Sequence, residues 1–343
     1  MRIKTTRLSR GFARTAVATV AVAALVGTAA CSAPDEDSDS SGASVSAEAG
    51  ALPVTITHNL GETTIETEPK RIATLGPGDS DILLALGIRP TTIVPFGDPT
   101  GKTAIAPWNE KYIAENTPEV LGLAAQDLNG EIPKALATNP DMIVAVNNAV
   151  TQEQYDNLKK VAPTLVREAQ YQDWLIPWAA STAEIGKAVG MPEKTQELID
   201  QTNQKFEDAK AKYPNMVGKK SAVIIAGTDG SISIYGPGDG RGQMLTNLGQ
   251  VFPKELEQLV TSGFYGTISN ENLNLLNNLD QVVAIDWEGS NERMKTNPVF
   301  NNLDIVKRGG VIYLDQQTGT AMSVPTVLTI PWAVDQIAPQ LGK

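Results

Sequence analysis

The body of the chain alternates between short apolar runs that suit buried strands and segments that suit helices. In its first half, strands are predicted at residues 63–67, 71–75, 92–94, 142–146 and 164–166, the first of them as a solvated edge strand. Helices are predicted at residues 80–86, 132–137 and 152–161, the first capped by Ser80 or Asp81 and ended by Gly87. Buried strands joined by helices predict an α/β fold with mainly parallel sheets.

The same alternation restarts after Lys220. Strands are predicted at residues 221–226, 231–235, 280–284 and 311–314, and helices at residues 270–276 and 327–337. Between the two halves, the segment Glu193–Lys212 places its apolar residues near one helical face and is bracketed by prolines. We therefore predict two α/β lobes, at residues 51–191 and 214–343, joined by a single long helix over residues 192–213.

A basic and then apolar leader precedes this body. Residues 1–30 carry five basic and no acidic residues, an apolar stretch from Ala16 to Val26, and small residues before Cys31, which is the pattern of a secretory signal. The stretch is short for a permanent helix across a hydrocarbon core of roughly 30 Å. Its end, Thr28–Cys31, resembles a bacterial lipoprotein box, with Thr28 where that box more often has Leu or Val.

We predict that the signal peptide, residues 1–30, is removed and that Cys31, the only cysteine, carries a lipid that holds the protein at the outer side of the cell membrane. The alternatives are an uncleaved anchor and an ordinary signal with an incidental cysteine. Residues 31–50 are rich in Ser, Asp, Glu and Ala and are predicted to form a flexible tether.

The charge balance of the mature chain argues against nucleic acid as a partner. The whole chain has 28 Lys and Arg against 39 Asp and Glu, and removing the five basic residues of the leader leaves a net charge of about −16. Phosphate contacts need clustered cations. We expect a monomer.

The scarcity of histidine and cysteine limits the possible chemistry. His58 is the only histidine, so a dedicated zinc site and a Ser-His-Asp or Cys-His catalytic arrangement are not expected, and His58 itself is read as an ordinary exposed or hydrogen-bonded residue. Haem held by tyrosinate from Tyr235 or Tyr265 stays open. The glycine-rich run Gly236–Gly242 lacks the spacing of a nucleotide-binding loop. We predict neither an enzyme nor an intrinsic cofactor.

Several segments resemble one family of binding proteins. Pro69–Pro90 resembles the first strand, turn and helix of the periplasmic-type solute-binding proteins that serve ABC importers of iron siderophores and vitamin B12, and Ala137–Ala145 resembles the helix, Pro-Asp and apolar strand of that family. Three further segments match in the same order: residues 155–165, 185–190 and 300–314. The resemblance implies two α/β lobes joined by one long helix, with a ligand cleft between the lobes.

Candidate ligand-binding residues follow from strand ends and from the resemblance. Ligands bind α/β folds at the carboxyl ends of strands, which points to Gly76, Pro77, Asn147 and Asn148 in the first lobe and to Trp287 in the second. The resemblance implies that the glycine-rich run brings Arg241 to the cleft; a plain turn with a solvated arginine is the alternative. Further candidates are Trp108, Tyr235 and Arg293 as well as Trp174, Trp178 and Trp332, with core packing as the alternative for each tryptophan.

The resemblance also implies a partner and a cargo. The family docks on its permease through one exposed acidic residue on each lobe, for which Glu153 and Glu292 are the candidates; a solvated glutamate at a helix start is the alternative for Glu153. The expected function is capture of a ferric siderophore, whose iron is held by the siderophore itself, and delivery to an ABC importer. A haem or cobamide carrier and a cell-surface lipoprotein without a transport role are the alternatives.

Overall fold

The computed structural model describes residues 46–96, 104–122 and 128–343. The predicted signal, Cys31 and most of the predicted tether lie outside these ranges. Within the described ranges no helix is both long and apolar enough to cross a membrane. Residues from Val45 to Lys343 belong to one unit by their contacts.

The first lobe contains short parallel strands covered by helices. Its strands are β1 (Val54–His58), β2 (Gly61–Ile65), β3 (Ile72–Thr74), β4 (Thr92–Ile93), β5 (Glu119–Val120), β6 (Met142–Ala145) and β7 (Thr164–Val166). Its helices are α1 (Asp79–Ala85), α2 (Glu110–Ile113), α3 (Leu128–Ala137), α4 (Gln152–Leu158) and α5 (Trp178–Ala188). Strands β3, β6 and β7 form a parallel sheet in that order, β4 pairs with β5 in parallel, and β1 and β2 form an antiparallel hairpin. Every residue of β3, β6 and β7 is buried, as expected for a parallel sheet covered on both faces.

One long helix, α6 (Pro192–Lys212), connects this lobe to the second, close to the predicted bounds. Proline suits its first turn because the missing N–H would have no intrahelical acceptor there. Its buried residues recur every three or four positions: Thr195, Ile199, Thr202, Phe206 and Ala209. This amphipathic stripe packs into a core shared with helices of both lobes, so α6 is a packed element rather than a free linker.

The second lobe is built on one five-stranded sheet. Its strands are β8 (Ser221–Ala226), β9 (Ile232–Tyr235), β10 (Tyr265–Ile268), β11 (Gln281–Ile285) and β12 (Val311–Leu314), in the spatial order β10-β9-β8-β11-β12. Strands β8, β11 and β12 are parallel, whereas β9 and β10 are antiparallel to their neighbours. The helices are α7 (Gly240–Asn247), α8 (Lys254–Glu257), α9 (Ser290–Thr296), α10 (Pro298–Asn301), α11 (Asp304–Lys307), α12 (Gln316–Ser323) and α13 (Thr329–Leu341).

Two predicted local features are wrong. Helix α1 is not capped by Ser80 or Asp81: it begins at Asp79 after Gly78, whose φ of 82° is left-handed, and both predicted caps are buried inside its first turn. The helix predicted at residues 270–276 is a 3-10 helix over Leu273–Asn278. In α1, Asp79 accepts from the backbone N–H of Val146 and Asp81 accepts from Thr326 Oγ1, so contacts with distant segments override the local capping preference.

Candidate functional site

Two adjoining cavities lie between the lobes. The first, called the main cavity here, has a volume of about 290 Å³, and its wall combines first-lobe residues Pro77, Phe96, Asn147 and Trp174 with second-lobe residues such as Arg241 and Phe264. The second cavity, of about 200 Å³, shares Phe96, Arg241 and Ser323 with the first and extends to Tyr235, Asp286 and Trp287. Together they form what we call the cleft.

Arg241 is the central polar residue of the cleft. Its side chain is 16% exposed, and its Nη1 donates to both carboxylate oxygens of Asp239 at 3.0 and 2.9 Å. The guanidinium carbon lies 4.0 Å from the ring centroid of Tyr235, a cation–π arrangement. Asp239 and Tyr235 thus hold the guanidinium in place, which suits a binding group that must not lose much side-chain freedom when a ligand arrives.

The glycines of the run Gly236–Gly242 allow this arrangement through close backbone approach. A Cβ atom on Gly242 would lie 2.1 Å from the backbone oxygen of Gly236, and one on Gly240 would lie 2.5 Å from Pro325 Cδ. Asp239 caps helix α7 by accepting from the backbone N–H of Arg241 at 2.9 Å. The run is therefore a structured turn that places Arg241 on the cleft wall, and Arg241 is not a solvated arginine on a plain turn.

Aromatic rings form much of the remaining wall. Trp287 is half-buried and stacks with Phe96, with 6.5 Å between centroids and 27° between planes, so the pair joins the two lobes across the cleft. Trp174 lines the main cavity with a left-handed φ of 68°, an unusual conformation for a bulky residue. Flat apolar walls with a few polar groups are typical of small-molecule sites.

Of the predicted ligand-binding residues in the first lobe, two line the main cavity and two lie buried beneath its wall. Pro77 and Asn147 line the main cavity, and Asn147 Nδ2 donates to the backbone oxygen of Pro77 at 2.7 Å. Asn148 is buried and donates to the backbone oxygen of Leu75 at 2.7 Å, and Gly76 is buried against the Asp79 carboxylate. Asn148 and Gly76 therefore shape the strand ends from beneath instead of facing a ligand.

Two predicted wall residues occupy other places. Trp108 is 7% exposed and packs against Trp332, with 5.5 Å between ring centroids, in the core shared by the lobes. Trp178 likewise packs on Phe206 of α6. The expected cleft position of Trp108 is therefore corrected to a core position. Sequence singled out Trp287 by its position at a strand end, whereas Trp108 and Trp178 carry no local signal that separates core from wall, because both kinds of position favour large apolar side chains.

Arg293 also differs from its predicted position against ligand oxygens. Its Nη1 donates to Glu288 O at 2.6 Å, and its Nη2 donates to Ala226 O at 2.9 Å and to Trp287 O at 3.3 Å. The side chain joins the carboxyl ends of β8 and β11, and it lines neither cavity of the cleft. Arg293 is a positioning residue for Trp287.

The two predicted docking residues lie on the surface. Glu153 is exposed in the first turn of α4, where Thr151 and Gln154 form a capping box. Glu292 is exposed in the first turn of α9 and forms an ion pair with Lys295 at 2.8 Å. These positions are compatible with contact to another protein and do not by themselves identify one.

Three buried carboxyl groups of the first lobe were not predicted. Burial raises the pKa of Asp79 and of Asp81 to about 7, and burial with repulsion from Glu168 and Asp79 raises the pKa of Glu184 to about 8. Asp79 accepts from the backbone N–H groups of Val146 and Asn147, at 3.0 and 3.2 Å. Asp81 accepts from Thr326 Oγ1 at 3.3 Å, a contact that crosses from the first lobe to the second.

His58 is buried and not exposed. Its Nε2 lies 3.0 Å from Thr63 Oγ1 and 3.2 Å from the Tyr155 hydroxyl, and burial lowers its pKa. The residue therefore holds the β1–β2 hairpin to α4, which is the hydrogen-bonded role expected from the sequence.

Sequence reasoning missed Phe96, Asp239 and Phe264 as parts of the cleft. Asp239 was detectable, because it stands two residues before Arg241 in a glycine-rich turn, where an acidic N-cap is common. Phe96 and Phe264 carry no comparable signal, since their place on the wall depends on how the two lobes meet.

The fold and site agree with one family. A family model described as periplasmic binding protein matches residues 72–318, and the chain belongs to this family of solute-binding proteins, which are not enzymes. The predicted family and the predicted two-lobed α/β fold with an intervening cleft are thereby confirmed.

Individual relatives share most of the chain. The petrobactin-binding protein YclQ of Bacillus subtilis (strain 168) is 25% identical over 270 residues, covering 77% of this chain and 81% of that protein. The structure of PiaA from Streptococcus pneumoniae TIGR4 in complex with ferrichrome is 28% identical, with a TM-score of 0.72 over 84% of this chain and 97% of that chain. Staphylococcus aureus SirA complexed with staphyloferrin B is 25% identical, with a TM-score of 0.68 over 84% of this chain and 98% of that one.

Proposed function

We propose that this protein is the extracytoplasmic binding component of an ABC importer and that its cleft captures a ferric siderophore. The observation that carries the proposal is the cleft wall, where Arg241, fixed by Asp239 and Tyr235, lines the same cavity as the aromatic rings of Phe96 and Trp287. The relatives support it, because their names or titles refer to petrobactin, ferrichrome and staphyloferrin B.

The chemistry of the wall suits a metal that arrives already wrapped. A siderophore supplies the oxygen ligands of its iron, so the protein needs apolar surfaces for the ligand arms and donors for the outer oxygens. Arg241 supplies guanidinium donors, and the rings of Tyr235, Trp287 and Phe96 supply flat surfaces. Within residues 46–96, 104–122 and 128–343, no group of three or more His, Cys, Asp and Glu residues is placed to hold a metal ion directly.

The rival haem carrier is less well supported by the same residues. Haem held by Tyr235 would need its tyrosinate, and burial raises the pKa of Tyr235, even though the charge of Arg241 acts in the opposite direction. The hydroxyl form at neutral pH is a poor iron ligand.

Delivery to a permease is the second part of the proposal. Each lobe exposes one of the two candidate glutamates, Glu153 on the first lobe and Glu292 on the second. Glu153 has no ion-pair partner among the described residues, whereas Glu292 pairs with Lys295. A basic permease surface could pair with Glu153 directly, whereas Glu292 would first have to leave Lys295. We expect the lobes to close by a small rotation only, because one packed helix joins them and bends little.

Membrane attachment is the third part. We propose that residues 1–30 are removed and that Cys31 carries the lipid, so that residues 31–50 tether a monomeric binding unit to the outer side of the membrane. Replacing Cys31 with Ser should release the protein from the membrane fraction. Mass spectrometry of the wild-type N-terminal peptide should show an acylated Cys31, and an unmodified cysteine there would contradict the anchor.

A titration tests the binding proposal. The protein without its leader is titrated with iron-loaded hydroxamate, catecholate and citrate-type siderophores and with haem, and tryptophan fluorescence is followed. We expect sub-micromolar quenching by one ferric class, weakened by Trp287→Ala and by Arg241→Ala. Arg308→Ala is the matched control, because Arg308 lies beside Gly310 at the start of β12, at the other end of the sheet. A flat response to every ferric complex would overturn the proposal, and a Soret band with haem would favour the rival carrier.

A further inference from the structure

We infer that the cleft selects neutral or cationic ferric complexes, the ferric trihydroxamates in particular, and rejects multiply anionic ones. This inference rests on the proposed function and narrows the class of cargo. It follows from the charges that the cleft wall presents and from the partners that those charges already have.

The cation of the cleft is neutralised within the protein. Arg241 Nη1 is occupied by Asp239, whose own side chain is 6% exposed, so the pair is largely withdrawn from water. At a separation of 2.9 Å the carboxylate cancels most of the field of the guanidinium at any distance comparable to the size of a ligand. Arg241 can still donate hydrogen bonds to a ligand oxygen, but it offers little net positive charge.

A second carboxylate faces the same space. Asp286 lines the second cavity directly after β11, where it accepts from the backbone N–H of Asn291 at 3.1 Å and has no ion-pair partner among the described residues. Two cations lie near it but line neither cavity: Arg293, which donates to the backbone oxygens of Ala226, Glu288 and Trp287, and Lys295, which interacts with Asp286 electrostatically. Neither cation forms an ion pair with Asp286 among the described residues, so their charges offset this acid only from a distance.

The described wall thus carries one base and two acids. The other polar residues used above, Asn147, Tyr235 and Ser323, are neutral. Beside the main cavity, Arg167 forms an ion pair with Asp173 and adds no net charge.

This balance discriminates between siderophore chemistries. Three hydroxamates carry one negative charge each and neutralise iron(III), whereas three catecholates carry two each and leave a trianion. Bringing a trianion from water into a partly buried wall that offers no net positive charge is unfavourable, because no attraction offsets the cost of desolvation. A neutral complex loses little by desolvation and can use the aromatic rings and the Arg241 donors.

Ferrichrome, ferrioxamine B and ferric enterobactin, which are neutral, monocationic and trianionic, provide a direct test with the protein lacking its leader. We expect binding of at least one of the first two to be tighter than that of ferric enterobactin by about 100-fold or more. Asp239→Asn should keep the helix cap, since Asn is an equally good N-cap. By freeing the charge of Arg241, it should reduce the affinity ratio between the preferred hydroxamate complex and ferric enterobactin about tenfold. Asp286→Asn should act in the same direction without touching Arg241.

Asp208→Asn is the control, because Asp208 lies exposed on α6 and its side chain bonds only to Gln204 among the described residues. This variant should leave the affinity ratio unchanged. Equal or tighter binding of ferric enterobactin by the wild type would overturn this inference while leaving the proposed function in place. An unchanged affinity ratio in both Asp239→Asn and Asp286→Asn would also overturn it, since the selection would not come from these charges. Absence of binding to all three, with binding of a citrate-type ferric complex, would overturn this inference alone. Absence of binding to every ferric complex would overturn the proposed function itself, and with it this inference.

Discussion

Two turns of the molecule share the sequence Gly-Pro-Gly-Asp and use it differently. Gly76–Asp79 follows β3 in the first lobe, and Gly236–Asp239 follows β9 in the second. In the first turn the third residue, Gly78, is left-handed, and helix α1 starts at the aspartate. In the second turn the aspartate itself is extended, with φ −69° and ψ 152°, and serves as the N-cap of α7.

This one-residue difference gives the two aspartates different partners. Asp79 turns inward to the backbone N–H groups that end β6, whereas Asp239 turns to Arg241, two residues along the chain. Two residues after Asp79, where the second turn has Arg241, the first turn has a second acid, Asp81. The first turn therefore concentrates buried acids with raised pKa, and the second builds a charge pair at the cleft. Identical turn sequences do not specify identical electrostatics.

The largest expected effect comes from removing the cation of the second turn. Arg241→Met leaves the buried Asp239 carboxylate without a counter-charge, and we expect a loss of about 3 to 5 kcal/mol of unfolding free energy at pH 8. The loss should shrink at pH 5, because Asp239 can then take up a proton, its pKa being raised by burial even in the wild type. Urea unfolding at both pH values measures this.

A double variant controls for the change in shape. Asp239→Asn with Arg241→Met removes both charges and should recover most of the lost stability. If the double variant is as unstable as Arg241→Met at both pH values, packing and not charge explains the loss, and the contrast between the two turns fails.

The next largest effect on stability is expected from the third residue of each turn, Gly78 in the first and Gly238 in the second. Gly78→Ala would place a Cβ at left-handed φ and 2.6 Å from Val324 Cγ1, so we expect destabilisation of about 2 to 3 kcal/mol. Gly238→Ala meets only the end of the Leu175 side chain, at 3.2 Å, and should stay within about 0.5 kcal/mol of the wild type. Thermal unfolding of the two variants measures both losses of stability. Equal losses would mean that the different backbone conformations of the two turns do not affect stability.

The buried acids of the first turn predict a pH dependence. The pKa of Asp81 is about 7 when folded and near 3.8 as an ordinary Asp, so the folded state binds its proton more tightly than the unfolded state. The contribution of Asp81 to stability is therefore full at acid pH and is lost as pH rises from about 4 to 7, at up to about 1.4 kcal/mol per pH unit. Asp81→Asn should flatten this slope in denaturant unfolding between pH 5 and 8.

Asp208→Asn serves as the comparison, since Asp208 is exposed and its replacement should leave the slope as in the wild type. An Asp81→Asn variant with the wild-type slope would show that Asp81 is ionised across this range and that the first turn is not acid-stabilised through it.

The smallest expected effect concerns how much each lobe contributes to ligand binding. Trp287→Leu removes the ring that stacks on Phe96 and should weaken ferric siderophore binding about tenfold. Pro77→Ala removes little surface from the first-lobe side of the main cavity and should weaken binding by about twofold at most. Fluorescence or calorimetric titration compares the two; a larger loss for Pro77→Ala would place the main contact on the first lobe.

The site shows where sequence reasoning works and where it stops. The family resemblance pointed to Arg241, and the glycines of its turn are explained by close backbone approach, which is a local requirement. Arg293 was placed wrongly, although it too follows a strand end, because its acceptors include Ala226, 67 residues earlier. Trp287 follows the end of β11 and lies on the cleft wall, whereas Trp108 has no such signal and lies in the core.

The sequence by itself determined the α/β alternation, the connecting helix α6 and the turn that carries Arg241. Each of these depends on hydrophobic period, proline or glycine within a short window, so the information is local. Only the tertiary structure decided which rings form the cleft wall, that Asp239 neutralises Arg241, and that Asp79 and Asp81 are buried. Those outcomes depend on contacts between segments far apart in the chain, where burial and distance set the energy and no local pattern records them.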